Sequence, residues 1–216
     1  MIHVKVFEFN AIAENTYLLY DETKEAILID CGCMTPAEEK SISDFIDQNG
    51  LSLKRLLCTH LHFDHVMGNG FIYRKYGIKP EAHQKEVELL PSIKEQVKLL
   101  GFPSSIEFID IEHYLIENGN ISFGQSELTT LLVPGHSPGS LAFYSPKDHF
   151  IIVGDALFNG SIGRTDLWGG SYDILTAAIR DKILTLPDET IVYPGHGPST
   201  TVINEKINNP FLVNTN

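Results

Sequence analysis

Three histidines and an aspartate fall within six residues of this chain, in the stretch Thr59-His60-Leu61-His62-Phe63-Asp64-His65. Residues two apart in an extended segment face the same way, so His60 and His62 present their imidazoles on one side. Asp64 and His65 follow at the mouth of the next helix and point elsewhere. One short loop thus offers two ligands to each of two metal ions. Imidazole and carboxylate suit zinc, iron or manganese, and the lack of cysteine in the stretch weakens a purely structural zinc reading.

Three further stretches share one arrangement. The apolar run 128–133 leads into Pro134-Gly135-His136, the run 150–153 into Gly154-Asp155, and the run 191–193 into Pro194-Gly195-His196. Each time a buried strand ends, a glycine allows a tight turn, and a ligand-type residue follows. The 60–65 loop also follows a strand. If these strands share direction and edge, their ends meet. A single His or Asp at a strand end is ordinarily a turn or hydrogen-bonding residue. Several of them together with the 60–65 cluster are hard to explain by packing, and point to one metal site. Two nearby cations lower the pKa of a shared water towards neutrality, and the resulting hydroxide attacks a carbonyl carbon whose oxygen the metals polarise. Asp64 or Asp155 would hold or receive the nucleophile's proton. No Ser or Cys nucleophile is needed.

The elements that must position these residues alternate along the chain. Residues 7–9, 16–20 and 26–30 read as opening strands spaced like a meander. A helix begins after Thr35, with Pro36 at its first position and Glu38 completing a capping box. Its apolar face is Ile42, Phe45 and Ile46, and Gly50 ends it. Residues 55–58 form a short buried strand before the 60–65 loop, and a helix follows near 66–76. The stretch 84–100 is helical in composition, and Pro91 predicts two pieces or a kink. Residues 127–133, 141–144, 150–153 and 190–193 are strand-like. Residues 172–186 form a helix capped by Ser171, with Pro187 beyond its end. This order predicts two sheets with helices outside.

Composition bounds the rest. The chain has 216 residues, 43% of them hydrophobic, and a formal charge of −12. That suits one sizeable soluble domain or two small fused ones, with no need of disulfide staples. Cys31, Cys33 and Cys58 are an odd set, as in a reducing compartment. No 18-residue apolar run marks a membrane span, and the first residues lack a secretory signal, so a cytoplasmic protein is expected. The acidic balance counts against nucleic acid and anionic membranes as partners. An anionic small substrate stays compatible with it, because bound cations reverse the local field.

His-x-His-x-Asp-His with a downstream His, Asp and His resembles the metallo-β-lactamase superfamily. The resemblance runs from Asn15-Thr16-Tyr17 to Tyr193-Pro194-Gly195-His196, and Ile29-Asp30-Cys31-Gly32 is similar to the family's first motif. It implies an α/β fold, the four-layer αββα sandwich, as a single domain over residues 1–216. It also implies that His60, His62 and His136 hold one ion, that Asp64, His65 and His196 hold a second, and that Asp155 bridges both. Two divalent ions per chain are implied, zinc first, with iron or manganese as alternatives. By the same resemblance Asp30 supports the ligand loop without binding metal; from the residues alone, a turn or cap role is equally natural.

Within the superfamily, Ser137-Pro138-Gly139-Ser140 and Gly163-Arg164-Thr165-Asp166 resemble glyoxalase II-type proteins most. These hydrolyse thioesters such as S-lactoylglutathione, so a small thioester or ester is the implied substrate. Arg164 matches a basic residue that binds glutathione there, and is also readable as an ordinary surface ion-pair residue. Trp168 either lines a substrate pocket or packs a core or lid. Two departures from longer members stand out. Asp166 and Leu167 replace an aromatic stretch, and only twenty residues follow His196, with Lys206 their one basic residue. The chain resembles the short glyoxalase II-like branch, for which weaker selectivity for an anionic thiol is expected. The rival resemblance is to persulfide dioxygenases, which share a Gly-Arg-Thr-Asp motif and use one iron held by the residues matching His60, His136 and Asp155. A lactonase is a further alternative, because the same hydroxide attacks lactones. Oligomeric state is open.

Overall fold

The computed structural model describes residues 1–89, 92–101, 107–111 and 113–213. The chain divides into two compact units. The first comprises Met1–Ala82, Pro91–Tyr114 and Ser122–Glu127, and the second His83–Leu90, Leu115–Ile121 and Leu128–Asn216.

The first sheet takes its six strands in chain order: β1 (His3–Phe9), β2 (Glu14–Tyr20), β3 (Glu25–Ile29), β4 (Ser52–Leu57), β5 (Pro80–His83) and β6 (His113–Leu115). The opening meander is antiparallel, with Tyr17 opposite both Val6 and Ile29. Then β4 runs parallel to β3, and β5 parallel to β4. Parallel neighbours need crossovers, supplied by α1 (Pro36–Asn49) and α2 (Asn69–Tyr76). Strands β2 and β3 are buried along nearly their whole length, which is why they read as continuous apolar runs.

Helix α1 begins as its capping box predicts. Thr35 Oγ1 accepts from Glu38 N, Glu38 Oε2 accepts from Thr35 N at 2.8 Å, and Gly50 closes the helix. Ile42 and Ile46 carry its buried face into a cluster with Phe7, Leu18, Leu28 and Leu56. At about 1.5–3 kcal/mol for each fully buried aliphatic side chain, that face does more for the helix than its propensity.

Helix α2 starts three residues later than the sequence predicts. Cys31 takes the first hydrogen bonds: its N–H donates to His65 O and its carbonyl accepts from Gly68 N, both at 2.7 Å. Strand β3 ends one residue early, because Asp30 turns to φ 53, a left-handed conformation that Asp tolerates better than most residues. Strand β5 was not foreseen. Its sequence, Pro-Glu-Ala-His, has no apolar pattern; it pairs with β4, where Cys58 N donates to Glu81 O at 2.8 Å, and Arg55 Nε and Nη2 donate to the two Glu81 oxygens at 2.7 and 2.6 Å. The stretch 84–100 forms two helices, α3 (Gln84–Leu89) and α4 (Ile93–Leu100). Pro91 itself lies outside the described residues.

The second sheet draws on β7 (Asn120–Phe123), β8 (Ser126–Leu132), β9 (Leu141–Ser145), β10 (Phe150–Gly154), β13 (Ile191–Pro194) and β14 (Thr200–Thr201). Between them in sequence lies a ribbon of β11 (Leu157–Phe158) and β12 (Ser161–Ile162). The sheet order is β14-β13-β10-β9-β8-β7. Strand β9 is antiparallel to both β8 and β10, while β13 is parallel to β10. Hence β8, β10 and β13 all point the same way. Helix α5 (Tyr172–Ala178) is capped by Ser171 and continues as a π-helical turn over Ile179–Ile183, where Leu184 N donates to Ile179 O at 2.9 Å. The helix expected to reach 186 therefore widens and ends early. Helix α6 (Val202–Asn208), not anticipated, joins α5 over a core of Ala142, Ile151, Val153 and Val192.

Candidate metal centre

In the first unit, two parallel strand ends bring the ligand loop together. Asp30 follows directly on the end of β3, and β4 leads into Thr59 and His60. The His60 and His62 rings lie 4.7 Å apart at 84°, and those of His60 and His65 4.2 Å apart. Asp64 Oδ2 lies 3.5 Å from His65 Nε2. All four side chains are buried. The loop itself makes a 3-10 turn over Phe63–His65, and Gln96 on α4 brackets it: Gln96 Oε1 accepts from Phe63 N at 3.2 Å and Nε2 donates to Leu61 O at 3.1 Å.

Asp30, His60 and His65 each offer an atom within 4.8 Å of the others, but the Asp30 oxygens are already engaged. Oδ1 accepts from Thr59 N at 2.7 Å, and Oδ2 accepts from Thr59 Oγ1 at 2.7 Å and from His65 Nδ1 at 2.9 Å. Asp30 therefore orients the loop. Glu14 sits behind it, fully buried, with Oε2 accepting from Thr16 Oγ1 at 2.8 Å. Burial holds its carboxyl well above the usual range, partly opposed by His65 and reinforced by Asp30.

In the second unit, His136, Asp155 and His196 follow the C-terminal ends of β8, β10 and β13, which share one edge. One carboxylate oxygen, Asp155 Oδ2, lies 3.7 Å from His136 Nε2 and 3.6 Å from His196 Nε2. A group so placed is suited to lie between two cations. His136 Nδ1 is 2.8 Å from the Arg164 carbonyl. Gly163 permits this approach: a Cβ there would stand 1.8 Å from the Asp155 carbonyl oxygen and 3.1 Å from His136 Nδ1. The Arg164 guanidinium turns away, with Nε and Nη2 each donating to Asp166 at 2.8 Å. That bond holds the Asp166 carboxyl at about 2. Trp168 is half-buried in the following loop.

These contacts fix three tautomers. The Thr59 hydroxyl gives its one hydrogen to Asp30, so at its 2.9 Å contact with His60 Nδ1 the ring is the donor. The Asp30 carboxylate and the Arg164 carbonyl can only accept, so His65 and His136 also carry their hydrogen on Nδ1. In all three rings Nε2 is then the lone-pair nitrogen, the form in which imidazole binds a metal while its other nitrogen is held from behind. The residues present thus fit divalent ions with imidazole and carboxylate ligands.

Several of these positions escape sequence reasoning. Thr59, Gln96 and Glu14 are residue types with no chemical signature. Gly163 is visible as part of a motif, but the motif draws attention to the Arg164 side chain when its carbonyl makes the contact.

In each unit imidazoles and carboxylates stand at the ends of parallel strands, groups able to hold a metal ion in an α/β protein. The chain belongs to the metallo-β-lactamase superfamily, whose family model matches residues 10–196. Hydroxyacylglutathione hydrolase GloC of Haemophilus influenzae is 33% identical over 212 residues, 98% of each chain. Among solved structures, BLEG-1 B3 metallo-β-lactamase is 35% identical with a TM-score of 0.87, over 98% of this chain and 100% of that one. TTHA1623 in a di-iron-bound form is 34% identical with a TM-score of 0.84, over 97% and 100%. The fold is that of this superfamily, sheets flanked by helices, as the resemblance implies. The coarse activity is that of a metal-dependent hydrolase. No helix among the described residues is long and apolar enough to cross a membrane.

Proposed function

We propose that the chain is a binuclear metal-dependent thioester hydrolase, a single domain acting on small substrates of the S-lactoylglutathione kind. The observation that carries this reading is the fixed Nδ1–H tautomer of His60, His65 and His136, each anchored so that Nε2 serves as ligand. His60, His62 and His136 would hold the first ion, Asp64, His65 and His196 the second, and Asp155 both. Zinc is the proposed metal, with manganese as an alternative; the di-iron form of TTHA1623 supports iron. Bound divalent ions supply Lewis-acid polarisation of the carbonyl and a water acidified towards neutrality. Asp64 or Asp155 would take the nucleophile's proton and pass it on to the leaving group. Arg164 and Trp168 would meet the substrate's thiol portion, the Arg164 guanidinium exchanging Asp166 for a substrate carboxylate.

The identity to GloC supports a thioester substrate. The test is elemental analysis of purified protein beside a panel of glutathione, coenzyme A and simple alkyl thioesters. Two ions per chain and thioester turnover abolished by chelation and restored by metal are expected; full activity in metal-stripped protein refutes the reading. The likeness to BLEG-1 favours one alternative, hydrolysis of a strained cyclic amide. Faster turnover of a chromogenic β-lactam than of any thioester would establish it.

A further inference from the structure

The motif Ser137-Pro138-Gly139-Ser140 directly follows His136, and one carboxylate holds it. Glu86, on α3, is 1% exposed. Its Oε1 accepts from Ser137 Oγ at 2.7 Å and from Gly139 N at 2.6 Å. Ser137 Oγ also lies 2.6 Å from Ser140 Oγ. Because Ser137 has given its hydrogen to Glu86, Ser140 is the donor in that pair. Both hydroxyls are buried. Residue 139 leaves no space for a side chain: a Cβ would stand 2.9 Å from His83 Nδ1 and 3.0 Å from Glu86 Oε1.

Desolvating a carboxylate is expensive, and burial is tolerated only when the oxygens find donors. Two donors to Glu86 Oε1, Ser137 Oγ and Gly139 N, come from the four residues after His136. The imidazole is tied at Nδ1 by Arg164 O, but that bond leaves the ring able to swing with its backbone. Glu86 secures the backbone. We propose that Glu86 is a positioning residue for His136, fixing the 137–139 turn so that His136 Nε2 keeps its place at the first ion. This rests on the ligand assignment proposed above, and it makes a selective claim. The second ion's ligands, Asp64, His65 and His196, are not in the turn that Glu86 holds, so losing Glu86 loosens one ion of two.

The test compares zinc-loaded wild type with Glu86→Leu, Glu86→Gln and Ser137→Ala. Zinc release to a chromogenic chelator is followed in time, cobalt(II) absorption reports ligand geometry, and thermal unfolding of metal-stripped protein reports the fold. Wild type should release two ions. In Glu86→Leu one ion should leave at least about ten-fold faster, the loss typical when a ligand's supporting hydrogen bond is removed, and the other within about two-fold of wild type. The cobalt spectrum should lose the component of one site only. Glu86→Gln keeps an acceptor oxygen and should restore slow release, while Ser137→Ala removes one donor and leaves Gly139 N, and should fall between. Should Glu86→Leu not fold, the Ser137→Ala and Glu86→Gln pair decides in the same way. Unchanged release in Ser137→Ala and Glu86→Leu overturns the role of Glu86, as does equal acceleration of both ions. A wild type that binds fewer than two ions overturns the ligand assignment, and the proposal with it.

Discussion

Asparagine at position 30 keeps the side chain's shape but turns one acceptor into a donor. The Thr59 N–H, 2.7 Å from Asp30 Oδ1, cannot change its role, so the amide oxygen must face it and the NH2 must take the place of Oδ2. There it meets Thr59 Oγ1 and His65 Nδ1, at 2.7 and 2.9 Å in the native chain. One amide hydrogen can go to each, provided that both become acceptors. His65 must then move its hydrogen from Nδ1 to Nε2, and the ligand nitrogen loses its lone pair. The Thr59 hydroxyl hydrogen loses its acceptor, costing about 1–3 kcal/mol, which a domain of about 5–15 kcal/mol withstands. Metal affinity should fall roughly 10- to 100-fold, or about 1.4–2.8 kcal/mol. Nitrogen-detected NMR of metal-free Asp30→Asn should find His65 protonated on Nε2, and a chelator competition should measure the loss. A ring that stays Nδ1–H, with affinity within about two-fold of wild type, would show that Asp30 does not set the tautomer.

Four other outcomes follow from individual contacts. Gly163→Ala puts a Cβ 1.8 Å from the Asp155 carbonyl; the strain should cost about 1–3 kcal/mol or more, lowering the apoprotein Tm by roughly 2–10 °C, and calorimetry will register it. Gln96→Leu removes both bonds to the 61–63 backbone, so exchange of the Phe63 amide, read by NMR, should quicken at least about ten-fold, equivalent to roughly 1.4 kcal/mol. Cys31, Cys33 and Cys58 are buried, and burial pushes the Cys31 and Cys58 thiols up; Ellman's reagent should find almost no reactive thiol in native protein and three after unfolding. Burial tends to raise the Asp21 carboxyl, but bonds from Thr23, Gln125 and Ser126 outweigh it and hold it at about 2. Its stabilisation is therefore complete above the ordinary value near 4 and lost as pH falls towards 2, so urea midpoints of Asp21→Asn should vary less across that window than those of wild type.

The features legible in the sequence are those whose signal is local. The capping box of α1 lies within four residues, and the meander shows as apolar runs because β2 and β3 are covered on both faces. The division of 84–100 into two pieces is legible because a proline stands at position 91 in the sequence. Strand β5 is illegible for the opposite reason: Pro80-Glu81-Ala82-His83 is a strand by pairing with distant β4, whose Arg55 bonds Glu81 from twenty-six positions away. Strands β11, β12 and β14 have two residues each, too few for any alternation to register. The π-helical turn at 179–183 has the composition of an α-helix, and what distinguishes it is the bond from Leu184 N to Ile179 O, five residues back, which no composition signals.

The candidate site divides along the same line. Histidine and aspartate at strand ends advertise themselves by type, and in the second unit β8, β10 and β13 deliver three of them to one edge. What holds them is generic: a threonine hydroxyl, a glutamine amide, a carboxylate on α3. Arg164 shows how far the two can part at one position. Its guanidinium, 60% exposed and paired with Asp166, is a weakly held group. Its carbonyl is fixed on His136 through the space that Gly163 leaves open. The backbone of the Gly-Arg pair thus holds the His136 imidazole while the Arg164 side chain takes no part in that contact: the carbonyl is present whatever side chain stands at 164, whereas a Cβ at 163 would meet the Asp155 carbonyl oxygen.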